Sequence, residues 1–300
     1  MPRHSLRPLL ERPDVLVTPG VYDGYSALLA RKAGFDAVST TGAGLVNARL
    51  GYPDVGLFGL RDNVDACRAI ARAVDAPVSA DAETGYGNAA TVHYVVREFE
   101  AAGVCALSIE DQRAPKRCGH VAGKDVIPVS EMVGKIRAAV DARRDPDFLI
   151  VARTDAIAVE GIERTCERVR AYQEAGADVI FPDAVRGAED IRAIVGASSV
   201  PVRINMGFGL RTRSTTPLMS VASLRALGVR WVSLSRLLPA AAIAGMQRAL
   251  VAMRQAIDDP VATERADLVA DMAEIQALMG YDHYFRVEAA FVPPAAEDDT

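Results

Sequence analysis

A thiol stands among potential cations in Pro115-Lys116-Arg117-Cys118-Gly119-His120. Positive charge nearby favours the ionised form of a cysteine. A more acidic thiol is a better proton donor and, once ionised, a better nucleophile. Lys116, His120 and Cys118 are therefore candidate catalytic groups, and Gly119 lets the backbone approach a ligand closely. The plain alternative is a cysteine in a basic surface loop.

A second group is acidic. Asp81 and Glu83 are two residues apart, a spacing that in a strand turns both carboxylates to one side. Asp54, Glu110, Asp111 and Asp183 add to the acid. Crowded carboxylates repel one another, so a divalent cation is the economical explanation. Oxygen ligands without a histidine cluster favour Mg2+, with Mn2+ as the alternative, over zinc. Taken singly, each acid is equally explained as a helix cap or a salt bridge. Arg153 is a candidate fork for a substrate carboxylate, against an ion pair with Asp155 or Asp183. Thr41, Gly42 and Ala43 offer hydroxyl and backbone N–H donors to a second anionic group, against a simple turn. Asn205 either bonds a substrate carboxylate or ends a strand. His93 and His283 read as structural.

These residues need elements to position them. Short β-rich runs alternate with helical patterns along most of the chain. Strands are expected at Asp14 to Thr18, Ala37 to Thr41, Pro77 to Asp81, Cys105 to Ile109, Phe148 to Ala152, Val179 to Phe181, Val200 to Ile204 and Trp231 to Leu234. Helices between them include one from Glu131 to Arg143 capped by Ser130. The junctions Ala33-Gly34, Ala102-Gly103 and Ala175-Gly176 each place glycine where a helix gives way to a strand. About eight strand–helix units close a parallel barrel, and the continuous apolar strands agree with a sheet buried on both faces. The expected fold is α/β, a (β/α)8 TIM-type barrel. A doubly wound open sheet ranks lower because no glycine-rich dinucleotide fingerprint opens the chain. In a barrel the chemistry lies at the carboxyl ends of the strands, and the polar residues named above fall there. Residues 1–258 are read as the barrel and 259–300 as a C-terminal helical extension with a polar tail. Thr263 to Met279 carries helical periodicity and must bury its apolar face on the barrel or on a neighbouring subunit.

Composition narrows the classes. The chain has 300 residues, half of them apolar, and a net charge of −5. No basic stripe tracks phosphates, so no nucleic-acid partner is expected. No apolar run is long enough to span a bilayer, and Met1 to Arg12 lacks the apolar core of a secretory signal. Cys67, Cys105 and Cys166 lie in apolar segments and read as buried thiols. A reducing cytoplasm is the simplest compartment.

Lys116-Arg117-Cys118-Gly119-His120 resembles the signature of the isocitrate lyase and phosphoenolpyruvate mutase superfamily, in its lyase branch. Other segments are similar in order: Leu50-Gly51-Tyr52-Pro53-Asp54, Asp81-Ala82-Glu83, Ile109-Glu110-Asp111-Gln112, Ala152-Arg153-Thr154-Asp155 and Phe181-Pro182-Asp183. The resemblance implies an (α/β)8 barrel, magnesium near Asp81, Glu83 and Asp54, a mobile lid carrying Cys118, and homotetramers built by exchanging a helix. It implies a small carboxylate substrate, a 2-hydroxy dicarboxylate or tricarboxylate cleaved to an α-keto acid and a carboxylate, with Cys118 protonating the enolate. Oxaloacetate decarboxylation or acylpyruvate cleavage on the same platform is the alternative, and an inactive barrel with a binding role is a second. Four departures from methylisocitrate lyases stand out: Glu83 for aspartate, Ser39 for tyrosine, Asp183 for glutamate, and a longer run from Asn205 to Pro217 that brings Arg211 and Arg213. They point to a substrate other than methylisocitrate.

Overall fold

The computed structural model describes residues 4–119, 121–207, 215–261 and 264–292. Among them are eight strands: β1 (Leu16–Val21), β2 (Val38–Thr40), β3 (Val78–Asp81), β4 (Ala106–Glu110), β5 (Leu149–Thr154), β6 (Val179–Pro182), β7 (Arg203–Asn205) and β8 (Trp231–Leu234). All are parallel, in the order β6-β5-β4-β3-β2-β1-β8-β7. A single parallel bridge, Ile180 to Val202, joins the two ends of that order. The (β/α)8 barrel expected from the alternating pattern is therefore present, with helices between the strands. Val, Ile, Leu and Ala dominate β3 to β6, and these strands are buried almost throughout because helices cover one face and the barrel interior the other. Leu6, Leu9 and Leu10 of the amino-terminal helix share one apolar cluster with Leu149, Val151, Val179 and Trp231, which seals the end opposite the strand carboxyl termini.

Local departures from expectation have identifiable causes. Ser130 does not cap a helix: the helix runs Val129–Ala142 after Pro128, whose φ of −54° already suits helical entry. A helix Gly42–Leu50 follows β2, a stretch for which the sequence reading placed no helix. Two glycines weaken its intrinsic propensity. Packing requires Gly44, since a Cβ there would meet Thr41 Cγ2 at 2.6 Å and Pro239 and Tyr22 at 3.2 Å. The apolar run before Gly280 is helical only over Met272–Met279, started by an Asp271–Glu274 capping box. The stretch after Gly280 is a further helix, Tyr281–Phe291.

The chain divides into two compact units, Met1–Ala241 and Ala242–Thr300. In the second, neither Met272–Met279 nor Tyr281–Phe291 buries any residue within the chain. No helix among the described residues is long and apolar enough to cross a membrane.

One close approach in the barrel wall bears on the site. A Cβ at Gly20 of β1 would meet the backbone oxygen of Ser235, just past β8, at 2.5 Å. Gly20→Ala must push these segments apart. It should lower stability by about 1–3 kcal/mol, the usual cost of overpacking, as read from the urea unfolding midpoint. An unchanged midpoint would contradict the packing described.

Candidate active site

A cleft opens at the carboxyl ends of the strands. It is lined by Thr41, Gly42, Ala43, Asp54, Asp81, Lys116, Cys118, Gly119, Arg153, Asp183 and Asn205, all named from the sequence, together with Phe181, Ser108, Arg203, Ser235 and Arg236. Glu83 and Glu110 lie behind this lining: Glu83 faces an adjoining cavity that shares Lys116, and Glu110 is 1% exposed behind Arg153. His120, Arg211 and Arg213 lie outside the described residues.

Asp81 and Glu83 do converge, but not by strand alternation. β3 ends at Asp81, and Glu83 sits in a turn at φ 54°. Glu83 N donates to Asp81 Oδ1 at 3.0 Å, and Asn63 holds Asp81 O at 2.7 Å. Lys135 Nζ, buried on the helix Val129–Ala142, fixes Thr84 O at 3.0 Å. Against Gly42, a Cβ would meet Asp81 Oδ2 at 2.7 Å and Glu83 Oε1 at 3.1 Å. The two carboxylates thus face the same point, and only glycine leaves it open.

Lys116 is the cation of this wall. The side chain is 5% exposed, and its Nζ bonds Asp54 and lies 3.0 Å from Glu83 Oε2. Burial opposes its charge, but Glu110, Glu83, Asp54 and Asp81 together push its pKa well above the ordinary lysine value. Glu83 is pushed up to about 7, burial outweighing the pull of Lys116. Glu110 also moves well above its usual range, because burial outweighs Arg153 and Lys116. Among the described residues neither oxygen of Glu83 or Glu110 has a well-aligned hydrogen bond; the contacts to Lys116 and Arg153 are electrostatic only. Unsatisfied buried carboxylates of this kind fit a hard divalent cation. No set of three His, Cys, Asp or Glu is drawn together as a ready-made metal shell among the described residues. Magnesium commonly takes one or two protein carboxylates and completes its shell with water and substrate, which is what Asp81 and Glu83 offer. Asp54 is engaged by Lys116.

Arg153 is braced on three sides. Its Nε donates to Asp155 Oδ2 at 2.9 Å, Nη2 to Asp183 Oδ2 at 2.8 Å, and Nη1 lies 3.3 Å from Glu110 Oε2. The β4–β5 register, which pairs Glu110 with Arg153, sets up the last contact. Burial opposes ionisation of Asp155, but Arg153 and Lys124 outweigh it and hold the carboxyl at about 2. Asp111 turns away from the cleft to Tyr172 OH at 2.7 Å and the Asp155 amide at 2.9 Å. Thr41 caps its helix by accepting from Gly44 N, leaving the amides of that first turn beside the cleft. Asn205 Oδ1 accepts from Ser235 N at 3.4 Å.

Among the described residues, the cation beside the thiol is neither Lys116 nor Arg117. Lys116 is committed to Asp54, and Arg117 donates to Ala122 O at 3.0 Å. Arg236, just past β8, donates from Nη2 to Cys118 Sγ at 3.0 Å. Sequence reading missed Arg236, although it stands on the same rim as the residues that were named. It also missed Arg203, whose spacing two before Asn205 puts both on one side of β7, the same signal used for Asp81 and Glu83. Cys67, Cys105 and Cys166 are buried, as their apolar surroundings suggested.

Gly119 seats the cysteine loop. A Cβ there would lie 1.6 Å from Asp183 Oδ2 and 2.8 Å from Arg153 Nη2. Lys124 secures the same turn, bonding Gly119 O at 2.9 Å and Asp155 Oδ1 at 2.8 Å. Gly119→Ala should lift the loop, raising the rate of Cys118 alkylation about tenfold or more while the unfolding midpoint stays near wild type. An unchanged alkylation rate would show that the loop does not need this seat.

Comparisons with known proteins agree with this arrangement. The family model for phosphoenolpyruvate phosphomutase matches residues 6–254. The chain is 41% identical over 285 residues to 2,3-dimethylmalate lyase of Eubacterium barkeri, covering 95% of this chain and 96% of that one. It is 40% identical over 294 residues to 2-methylisocitrate lyase of Aeropyrum pernix, covering 97% and 92%. A solved oxaloacetate acetylhydrolase, in complex with the inhibitor 3,3-difluorooxalacetate, superposes with a TM-score of 0.87 at 34% identity over 95% of each chain. With its parallel barrel and a cysteine loop closing over acid and guanidinium, the chain belongs to the phosphoenolpyruvate mutase/isocitrate lyase superfamily.

Proposed function

We propose that the protein is a magnesium-dependent carbon–carbon lyase that cleaves a 2-hydroxy dicarboxylate of the substituted-malate class into an α-keto acid and a carboxylate. The observation that carries this reading is the placement of Cys118 over a cleft with carboxylates on one wall and guanidinium groups on the other. A magnesium ion, held by Asp81 and Glu83, would supply charge for binding and polarising the α-hydroxy acid end. The amides of Thr41, Gly42 and Ala43 and the braced Arg153 orient that end. The hydroxyl proton passes to the acidic wall. The bond to the neighbouring carbon breaks, and its electron pair is delocalised into the carboxylate of the departing fragment. Cys118 then delivers a proton to that carbon, completing the carboxylate product. The seated loop, with Gly119 against Asp183, keeps bulk water from the carbanion.

The oxaloacetate acetylhydrolase likeness favours a second reading, hydrolytic cleavage of oxaloacetate. Both are tested by one panel: 2,3-dimethylmalate, methylisocitrate, isocitrate, oxaloacetate and phosphonopyruvate, with magnesium or with chelator, for wild type and Cys118→Ser. Pyruvate from a substituted malate, dependent on magnesium and reduced about a hundredfold or more by the substitution, is expected; general acid catalysis at one group typically contributes 10²–10⁴-fold. Oxaloacetate turnover that survives Cys118→Ser would replace the lyase reading with the second.

We further assign residues 1–258 to the catalytic barrel and 259–300 to an extension that makes a subunit contact in a homotetramer. Support comes from the exposed Met272, Tyr284, Phe285 and Phe291 on helices that bury nothing in their own chain. Size-exclusion chromatography with light scattering should give about four times the 32.0 kDa chain mass; a monomer at micromolar concentration would refute it.

A further inference from the structure

Arg153 was the guanidinium expected to receive a substrate carboxylate, yet Glu110, Asp155 and Asp183 already surround it. Two other guanidinium groups in the same cleft have no carboxylate within ion-pair distance among the described residues. Arg203 is 4% exposed, and among the described residues it makes no ion pair; its one side-chain hydrogen bond there runs from Nε to Ser233 Oγ at 3.1 Å. Its Cζ lies 4.6 Å from the Phe181 ring centroid and 4.5 Å from that of Trp231, so the planar group is clamped between two aromatic faces. The clamp is itself fixed, because Trp231 Nε1 donates to Thr18 Oγ1 at 2.8 Å. Arg236 likewise has no ion-pair partner among the described residues, and its one side-chain bond there is to the Cys118 sulfur.

A guanidinium buried on aromatic rings, with no hydrogen bond from its terminal nitrogens among the described residues, is costly to hold unless an anion completes it. Burial lowers the pKa of Arg203 to about 10, with Asp81 and Asp183 offering only distant compensation and Arg153 opposing it. Both groups line the cleft. Resting on the lyase reading above, we propose that Arg203 and Arg236 together bind the distal carboxylate of the substrate, the one that leaves on the carboxylate product, and so restrict the enzyme to substrates with a second anionic end.

The position of Arg236 says which carboxylate this is. The carbon that receives the proton from Cys118 is bonded directly to the distal carboxylate. A cation 3.0 Å from Sγ is therefore beside the carboxylate whose neighbouring carbon the thiol must reach. During cleavage the electron pair of the breaking carbon–carbon bond enters that carboxylate, taking it from one negative charge to two. The proton from Sγ then goes to carbon and restores the single charge. Two guanidinium groups with no ion-pair partner among the described residues match this transient dianion better than the braced Arg153 does.

The chain carries a single tryptophan, Trp231, which stacks on Arg203, so its fluorescence reports on this end of the cleft. Full-length wild type, Arg236→Gln and Arg203→Gln would be titrated in magnesium with succinate, which has two separated carboxylates, and with oxalate, whose adjacent carboxylates resemble the α-hydroxy acid end alone. Turnover of 2,3-dimethylmalate would be measured in parallel. Both variants should bind succinate about 10- to 100-fold more weakly, the range for a lost charge-assisted bond, and oxalate within about threefold of wild type. Arg236 is partly exposed, so its variant keeps the test open if Arg203→Gln fails to fold. Wild-type succinate affinity in the variants, equal weakening of both ligands, or no succinate binding by wild type would each overturn the pair. Selective loss of succinate without any dimethylmalate turnover would uphold the pair and sink the lyase reading instead.

Discussion

The buried ammonium of Lys116 ties the cysteine loop to the barrel. It reaches Asp54 and Glu83, which lie in different segments, from a residue two before Cys118. Breaking a buried charge pair by removing one partner typically costs about 3–5 kcal/mol, because the remaining charge is stranded. Here several carboxylates would be stranded at once. The same contact that seats the loop therefore holds the acidic wall together, and the position of the thiol depends on it.

That wall is only half of the site. Asp54, Asp81 and Glu83 make one side acidic, while Arg153, Arg203 and Arg236 make the other side basic. The two sides differ in how far their charges are internally matched. Arg153 is saturated by Asp155 and Asp183 and is thereby rigid. Among the described residues, the carboxylate oxygens of Glu83 and Glu110 have no hydrogen-bond partner and Arg203 has no ion pair, despite burial. Such residual imbalance costs stability, and its concentration around one cleft is the physical mark of a site built to be completed by charged ligands.

Glycine at two contacts lets these walls close. Gly42 leaves space where Asp81 and Glu83 converge, and Gly119 leaves space for Asp183 and Arg153. Neither position requires positive φ. At both, the absence of Cβ is what matters, so the role is steric and invisible to any argument from turn conformation.

The linear order of residues determined much of this. Alternating apolar strands and helices, with glycine at the helix ends, were enough to specify a parallel barrel, since few other folds bury such strands on both faces. The rim positions of Asp81, Cys118, Arg153 and Asn205 followed from where each strand ends. Local pattern was silent where long-range packing ruled: the glycine-rich start of Gly42–Leu50 forms a helix because Thr41 caps it and Tyr22 and Pro239 enclose it. Partnership between side chains was likewise decided only in three dimensions. Lys116 and Arg117 are drawn to Asp54 and to Ala122 O, and among the described residues the cation that meets the sulfur comes from position 236. Closing the barrel brings β8 beside β1 and carries Arg236 to the thiol, a proximity that depends on the whole sheet and leaves no trace in local spacing.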